Sequence, residues 1–135
     1  MNQAVLCSGR KPARKRATSP ACVCAGHSVL FTRADALLRD LSQARADHTL
    51  AKTFRAYLTP DLLIVDDFGL HRLTAQQSSD LYELIIERNR RSSFVVTSNR
   101  AVDEWLDLWD DPILGNSPLD RLANGAHQLV LDGPS

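Results

Sequence analysis

The sequence predicts an α/β fold, a parallel sheet flanked by helices. Three observations lead there. Residues 62–65 (LLIV) and 94–98 (FVVTS) are continuous apolar runs ending in polar residues, the pattern of strands buried on both faces of a parallel sheet. Between them lies a capped amphipathic helical pattern. Strands alternating with helices in this way build βαβ units with right-handed crossovers.

Residues 1–26 hold clusters of Ser, Gly, Pro and Arg without a sustained period, and they are expected to be disordered or poorly packed. Order is expected from residues 28–32 (SVLFT), a short β-rich run. A helix should follow, opened by a capping box of Thr32 and Asp35, with Ala34, Leu37, Leu38 and Leu41 on one face. A second short helix carries Leu50, Phe54 and Tyr57 at helical spacing and stops at Pro60. The buried run 62–65 comes next. Thr74 and Gln77 then form a Thr-x-x-Gln capping box for a helix to about Arg91, whose inner face is Leu81, Leu84 and Ile85. After the run 94–98, short helices are expected over 103–109 and 117–124, the latter started by Ser117-Pro118, and a last strand over 127–131.

Net charge is zero but unevenly laid out. No acid precedes Asp35, while Arg10, Lys11, Arg14, Lys15, Arg16 and Arg33 do; all sixteen acids lie from Asp35 onward. No apolar run approaches the roughly 20 residues of a membrane span, and the N-terminus has no apolar stretch of a secretory signal. Cys7, Cys22 and Cys24 are odd in number, and Cys-Val-Cys is not zinc or redox spacing. A disulfide framework is not expected, which suits a cytoplasmic protein.

The chemistry concentrates at residues 62–69, LLIVDDFG. In an open parallel sheet, ligands bind beyond the carboxyl ends of the strands. Asp66 and Asp67 sit at one such end, and Thr97-Ser98-Asn99 at another. Adjacent carboxylates there can hold a magnesium ion through water and orient a water toward a phosphate, and the cation relieves their repulsion. The alternative is that the two acids only open a loop, one capping a turn and the other facing solvent.

Several segments in order extend the reading: GHSVLFTRADALLRDLSQARADHTL, PDLLIVDDFGL, LYELIIERN, FVVTSNR with EW, and DDPILGNSPLDRLANGAHQLVLDG. Together they resemble the IstB-like family of transposition helper proteins, relatives of the DnaC-type helicase loaders among the AAA+ ATPases. The resemblance spans about residues 26–133. It implies a P-loop NTPase sheet that uses ATP and magnesium, and a cytoplasmic, DNA-bound helper that assembles with family subunits and assists a transposase in moving an insertion sequence. By the same resemblance Asp66 matches the Walker B acid that helps hold magnesium, and Asp67 the acid that polarises the attacking water. Asn99 matches the sensor-1 residue, between that water and the γ-phosphate. Arg121 matches an arginine finger reaching into the next subunit. Without the family, Asn99 reads as a helix cap and Arg121 as half of a surface ion pair with an acid such as Asp120 or Asp103.

One family part is missing. A P-loop, G-x-x-x-x-G-K-[ST], cradles phosphates on backbone N–H groups and a lysine. Of the three lysines, Lys11 follows Arg10, Lys15 follows Arg14 and Lys52 follows Ala51, so none follows glycine. The expectation is therefore an incomplete AAA+ sheet over residues 27–135, lacking the P-loop strand between the run 94–98 and the last strand, and a truncated chain that binds ATP poorly. An aggregation-prone gap should be left in the sheet, which residues 4–7 (AVLC) would at most partly fill, four residues followed by Ser-Gly making a poor central strand. Residues 1–26 stand outside the resemblance; their basic GRKPARKR stretch is out-of-frame residue or an electrostatic nucleic-acid contact. The alternative function is a remnant that contacts family subunits, transposase or DNA without nucleotide. A phospho-receiver domain also has an acid pair after a strand, but it needs a lysine further on, and none follows Lys52.

Overall fold

The structure, a computed structural model, describes residues 3–8, 26–124 and 126–131. Its elements run β1 (Gln3–Ser8), β2 (Val29–Arg33), α1 (Ala34–Ala46), α2 (Leu50–Leu58), β3 (Leu62–Asp66), α3 (Ala75–Arg91), β4 (Ser93–Ser98), a 3-10 helix (Val102–Leu108), α4 (Pro112–Asn124) and β5 (Ala126–Leu131). The five strands form one sheet in the order β2-β3-β4-β1-β5. β2, β3 and β4 are mutually parallel, as predicted, with Leu63 beside both Leu30 and Phe94.

Beyond β4 the structure departs from expectation. β1 fills the slot between β4 and β5 and runs antiparallel to both, Ala4 lying beside Ser98 on one side and Val130 on the other. The expected gap is thus closed by residues 3–8, which are a strand where disorder was expected. Six residues with a β-compatible apolar centre meet the hydrogen-bonding demand of two strand edges, and that demand outweighs weak local propensity. The rest of the basic segment, with Cys22 and Cys24, lies outside the described residues.

Burial on both faces of the sheet is also corrected. β3 and β4 alternate: Leu63, Val65, Phe94 and Val96 are buried, whereas Ile64 and Val95 are only partly so, and Phe31 beside them is 59% exposed. The helices supply the other side of a single core. Leu37 and Leu41 of α1, Phe54 and Tyr57 of α2, and Leu81, Leu84 and Ile85 of α3 pack with Trp105, Leu108 and Trp109.

The capping box of α3 forms as predicted: Gln77 N–H donates to Thr74 Oγ1, and Thr74 N–H donates to Gln77 Oε1. That of α1 does not. β2 extends through Arg33, which pairs with Asp66, so Thr32 stays in the ladder and Arg33 becomes the N-cap without a side-chain bond. α4 starts earlier than expected. Asp111 Oδ1 accepts from Ile113 N–H at 2.9 Å, so Asp111 is the cap and Pro112 the first helical residue, while Pro118 lies inside the helix, fully buried.

Two polar ties hold the layers. Tyr57 donates to Asp40 at 2.5 Å, and burial, then that carboxylate, pushes the phenol pKa up. Arg88 of α3 is fully buried and donates to three carbonyls: Tyr57 at 2.8 Å, Pro60 at 3.0 Å and Ser93 at 2.6 Å. Burial pushes its pKa down to about 10, against the opposing pull of Asp61.

Candidate functional site at the carboxyl ends of β3 and β4

β3 and β4 end side by side, and their polar termini interlock. Thr97 Oγ1 donates to Asp66 Oδ1 and accepts the Asp67 N–H at 3.2 Å. The Thr97 carbonyl accepts from Phe68 N–H at 2.9 Å. Ser98, buried on the core side, donates to the Phe68 carbonyl at 2.6 Å and accepts from Arg100 N–H at 3.0 Å. The first two residues after β3, Asp67 and Phe68, are therefore fastened to β4. Phe68 anchors the loop from beneath, edge-on to Trp105 with ring centroids 5.0 Å apart.

Backbone conformation separates the two acids. Asp67 has φ 55°, a left-handed value that Asp tolerates better than most residues. The turn sends the neighbours to opposite partners. Asp66 is held on the β4 side by Thr97, while Asp67 Oδ2 lies 3.8 Å from Arg33 Nε at the end of β2. Arg33 Nε is also 3.4 Å from Asp35 Oδ1. Asp66 thus faces the Thr97 hydroxyl and Asp67 the Arg33 guanidinium, which it shares with Asp35, so the two carboxylates turn to different neighbours. Gly69, at φ 90°, completes the turn in a conformation that L side chains rarely adopt, and a Cβ there would also crowd Leu108 Cδ1 at 2.9 Å.

Beside Asp67 a cavity of about 350 Å³ opens between the start of α1 and the loop, with Leu38, Phe68 and Leu73 among its apolar walls and Leu70, His71 and Arg72 around it. Asn99 follows β4 directly and is exposed at the same edge as the acids. Arg121 is exposed on α4, Leu119 of the same helix packs against the core, and no contact joins Arg121 to the acids among the described residues.

Among the described residues no group of three or more His, Cys, Asp or Glu side chains could hold an ion. Asp66 keeps one oxygen beyond the Thr97 bond. That fits magnesium in its usual protein mode, one or two carboxylates completed by waters and substrate phosphates, and does not fit an all-protein cage. Thr97 and Arg33 were not assigned these roles from the sequence. The parity of a strand ending Val-Thr-Ser identifies Thr97 as the residue facing the acid, but the reach of Arg33 depends on where β2 stops.

No helix among the described residues is long and apolar enough to cross a membrane. The chain matches the family described as IstB-like ATP binding protein over residues 15–135. It is 40% identical over 111 residues to an insertion-sequence ATP-binding protein of Mycobacterium tuberculosis, covering 82% of this chain and 44% of that one. It is 38% identical to one of Sinorhizobium fredii, covering 81% and 44%. The chain spans less than half the length of these curated relatives. Among solved structures, the DnaC helicase loader superposes with a TM-score of 0.60 at 22% identity, covering 73% of this chain and 58% of that one. AMPPCP-bound DnaA from Aquifex aeolicus superposes at 0.58 and 16% identity, covering 67% and 29%. At these identities the likeness concerns the fold alone.

Proposed function

From the premise that the chain belongs to the IstB-like ATP-binding family, we propose that it is part of an ATP-dependent, DNA-bound helper that assists a transposase in insertion-sequence transposition. The observation that carries this reading is the bonding of Thr97 to the Asp66 carboxylate and to the Asp67 N–H, which keeps both acids beside the end of β4, where Asn99 follows. In that role Asp66 would hold magnesium through water, Asp67 would polarise the attacking water, and Asn99 would orient that water against the γ-phosphate. Magnesium supplies charge neutralisation on the phosphates. Arg121, exposed on α4, would serve a neighbouring subunit's site and not its own.

A second reading, contact with family subunits, transposase or DNA without nucleotide, is favoured by a specific feature. No lysine follows a glycine in this chain. The slot beside β4 is moreover taken by a strand of reversed direction, so the start of β1, not its carboxyl end, meets the site edge at Ser98. Phosphate-cradling loops leave the carboxyl ends of strands, and this strand feeds none to that edge. Calorimetry of the purified chain with ATP and magnesium decides between the two. Weak or absent heat supports the non-nucleotide reading for the isolated chain. Micromolar binding abolished by Asp66→Asn supports a working nucleotide site.

A further inference from the structure

We propose that Thr97 is a positioning residue that presents Asp66 to a magnesium-type cation through one oxygen and disfavours a calcium-type one. The proposal rests on the functional reading in which Asp66 holds magnesium, and it assigns a role to a side chain of the neighbouring strand.

The bonding of the Thr97 hydroxyl has a direction. A hydroxyl has one proton to donate and lone pairs that accept. An N–H can only donate, so Thr97 Oγ1 accepts from the Asp67 N–H, at 3.2 Å. Its own proton then goes to Asp66 Oδ1. The bonds run one way, from the Asp67 N–H through the hydroxyl to the Asp66 carboxylate, and each polarises the next. The donor is also well placed. Val65 pairs with Val96, so the next register position sets Asp66 beside Thr97, and both are half-buried. A β-branched threonine has few choices at χ1, which keeps the hydroxyl aimed at its neighbour.

This bond limits how Asp66 can meet a cation. Calcium gathers a large, flexible shell of oxygens and takes carboxylates through one or both oxygens. Magnesium demands a near-ideal octahedron, keeps several waters and needs few carboxylates. A carboxylate drawn toward β4 by one oxygen presents the other alone, and turning both oxygens to one ion would break the Thr97 bond. Nothing nearby makes up a larger shell, since no group of three or more His, Cys, Asp or Glu side chains could hold an ion among the described residues. Without the hydroxyl the carboxylate is released to turn, and the two-oxygen mode opens. A bond that merely tied β3 to β4 would affect stability and leave the preference between cations untouched.

Manganese(II), an octahedral oxygen-binding stand-in for magnesium, is the probe. Its binding to the full chain is read from loss of the free-ion signal in electron paramagnetic resonance, with magnesium and calcium then competing for it. Circular dichroism melts set a temperature at which every variant is folded. In the unaltered chain magnesium should displace manganese at lower concentration than calcium does. Thr97→Val keeps the shape without the hydroxyl and should move the ratio of the two competition constants toward calcium by about fivefold or more. Thr97→Ser keeps the hydroxyl and should hold the original ratio. An unchanged ratio in Thr97→Val, or a shift in Thr97→Ser as large as in Thr97→Val, overturns the role of Thr97 alone. Asp66→Asn reads the underlying premise separately. Manganese binding that survives it, or that is absent from the unaltered chain, overturns the magnesium reading of Asp66 and the role of Thr97 with it.

Discussion

The two halves of the sheet differ in what holds them. In the parallel half, β2, β3 and β4 finish at one edge, and side chains there take over where the ladders stop: Thr97 binds Asp66 and the Asp67 N–H, Ser98 binds the Phe68 carbonyl, and Arg33 faces Asp67. In the other half, β1 joins β4 and β5 through antiparallel ladders along its whole length. Backbone pairing is indifferent to sequence and accepts either direction. Site chemistry is not, because only a strand's carboxyl end delivers a loop to the ligand edge. A slot in a sheet can thus be filled structurally without restoring the chemistry associated with that slot.

The largest effect should come from deleting residues 1–8. Hydrogen exchange over 126–131 should rise to near-unprotected rates while 62–66 stays protected, and the freed edges of β4 and β5 should promote aggregation. Unchanged protection of β5 would show that the halves do not depend on β1. Next, Arg88→Leu takes the guanidinium donor from three carbonyls, one buried and two partly buried, and should lower stability by about 2–3 kcal/mol in urea denaturation. An unshifted midpoint would remove Arg88 from the account of the parallel half. Thr97→Val keeps the shape but strips the hydroxyl from both acids' partners; a loss of about 1–3 kcal/mol is expected. Arg33→Ala should cost less than about 1 kcal/mol, since both its pairs are solvent-exposed. If Arg33 outweighed Thr97, the fastening would lie toward β2 and not β4.

Much of the parallel half was legible in the sequence because its signals are local. The run 62–65, the Thr74–Gln77 box and the spacing of Leu81, Leu84 and Ile85 each decide their own element. The misreadings share another cause. Thr32 lost its capping role because pairing with β3 carried β2 one residue further. Pro118 resembles a helix start until Asp111 and Pro112, six residues earlier, supply a better one. A run of four apolar residues gives the same pattern whether one face or two are covered, and β1 is a strand only because two distant edges need a partner. That Asp66, Asp67 and Asn99 share one sheet edge could be read from the order of the strands; their roles come from the family resemblance. The left-handed turn that parts the two acids, and the cation meeting Asp67, are properties of the assembled edge.

The buried guanidinium of Arg88 has a consequence for how the molecule opens. Its three acceptors come from the end of α2, the turn at Pro60 and the first residue of β4. Withdrawing it from one strands a charge away from water unless it withdraws from all. Fraying of α2 and peeling of β4 from its amino end are therefore coupled events. Amides near Leu58 and Phe94 should exchange through the same opening, with one shared dependence on denaturant, although they lie in different elements.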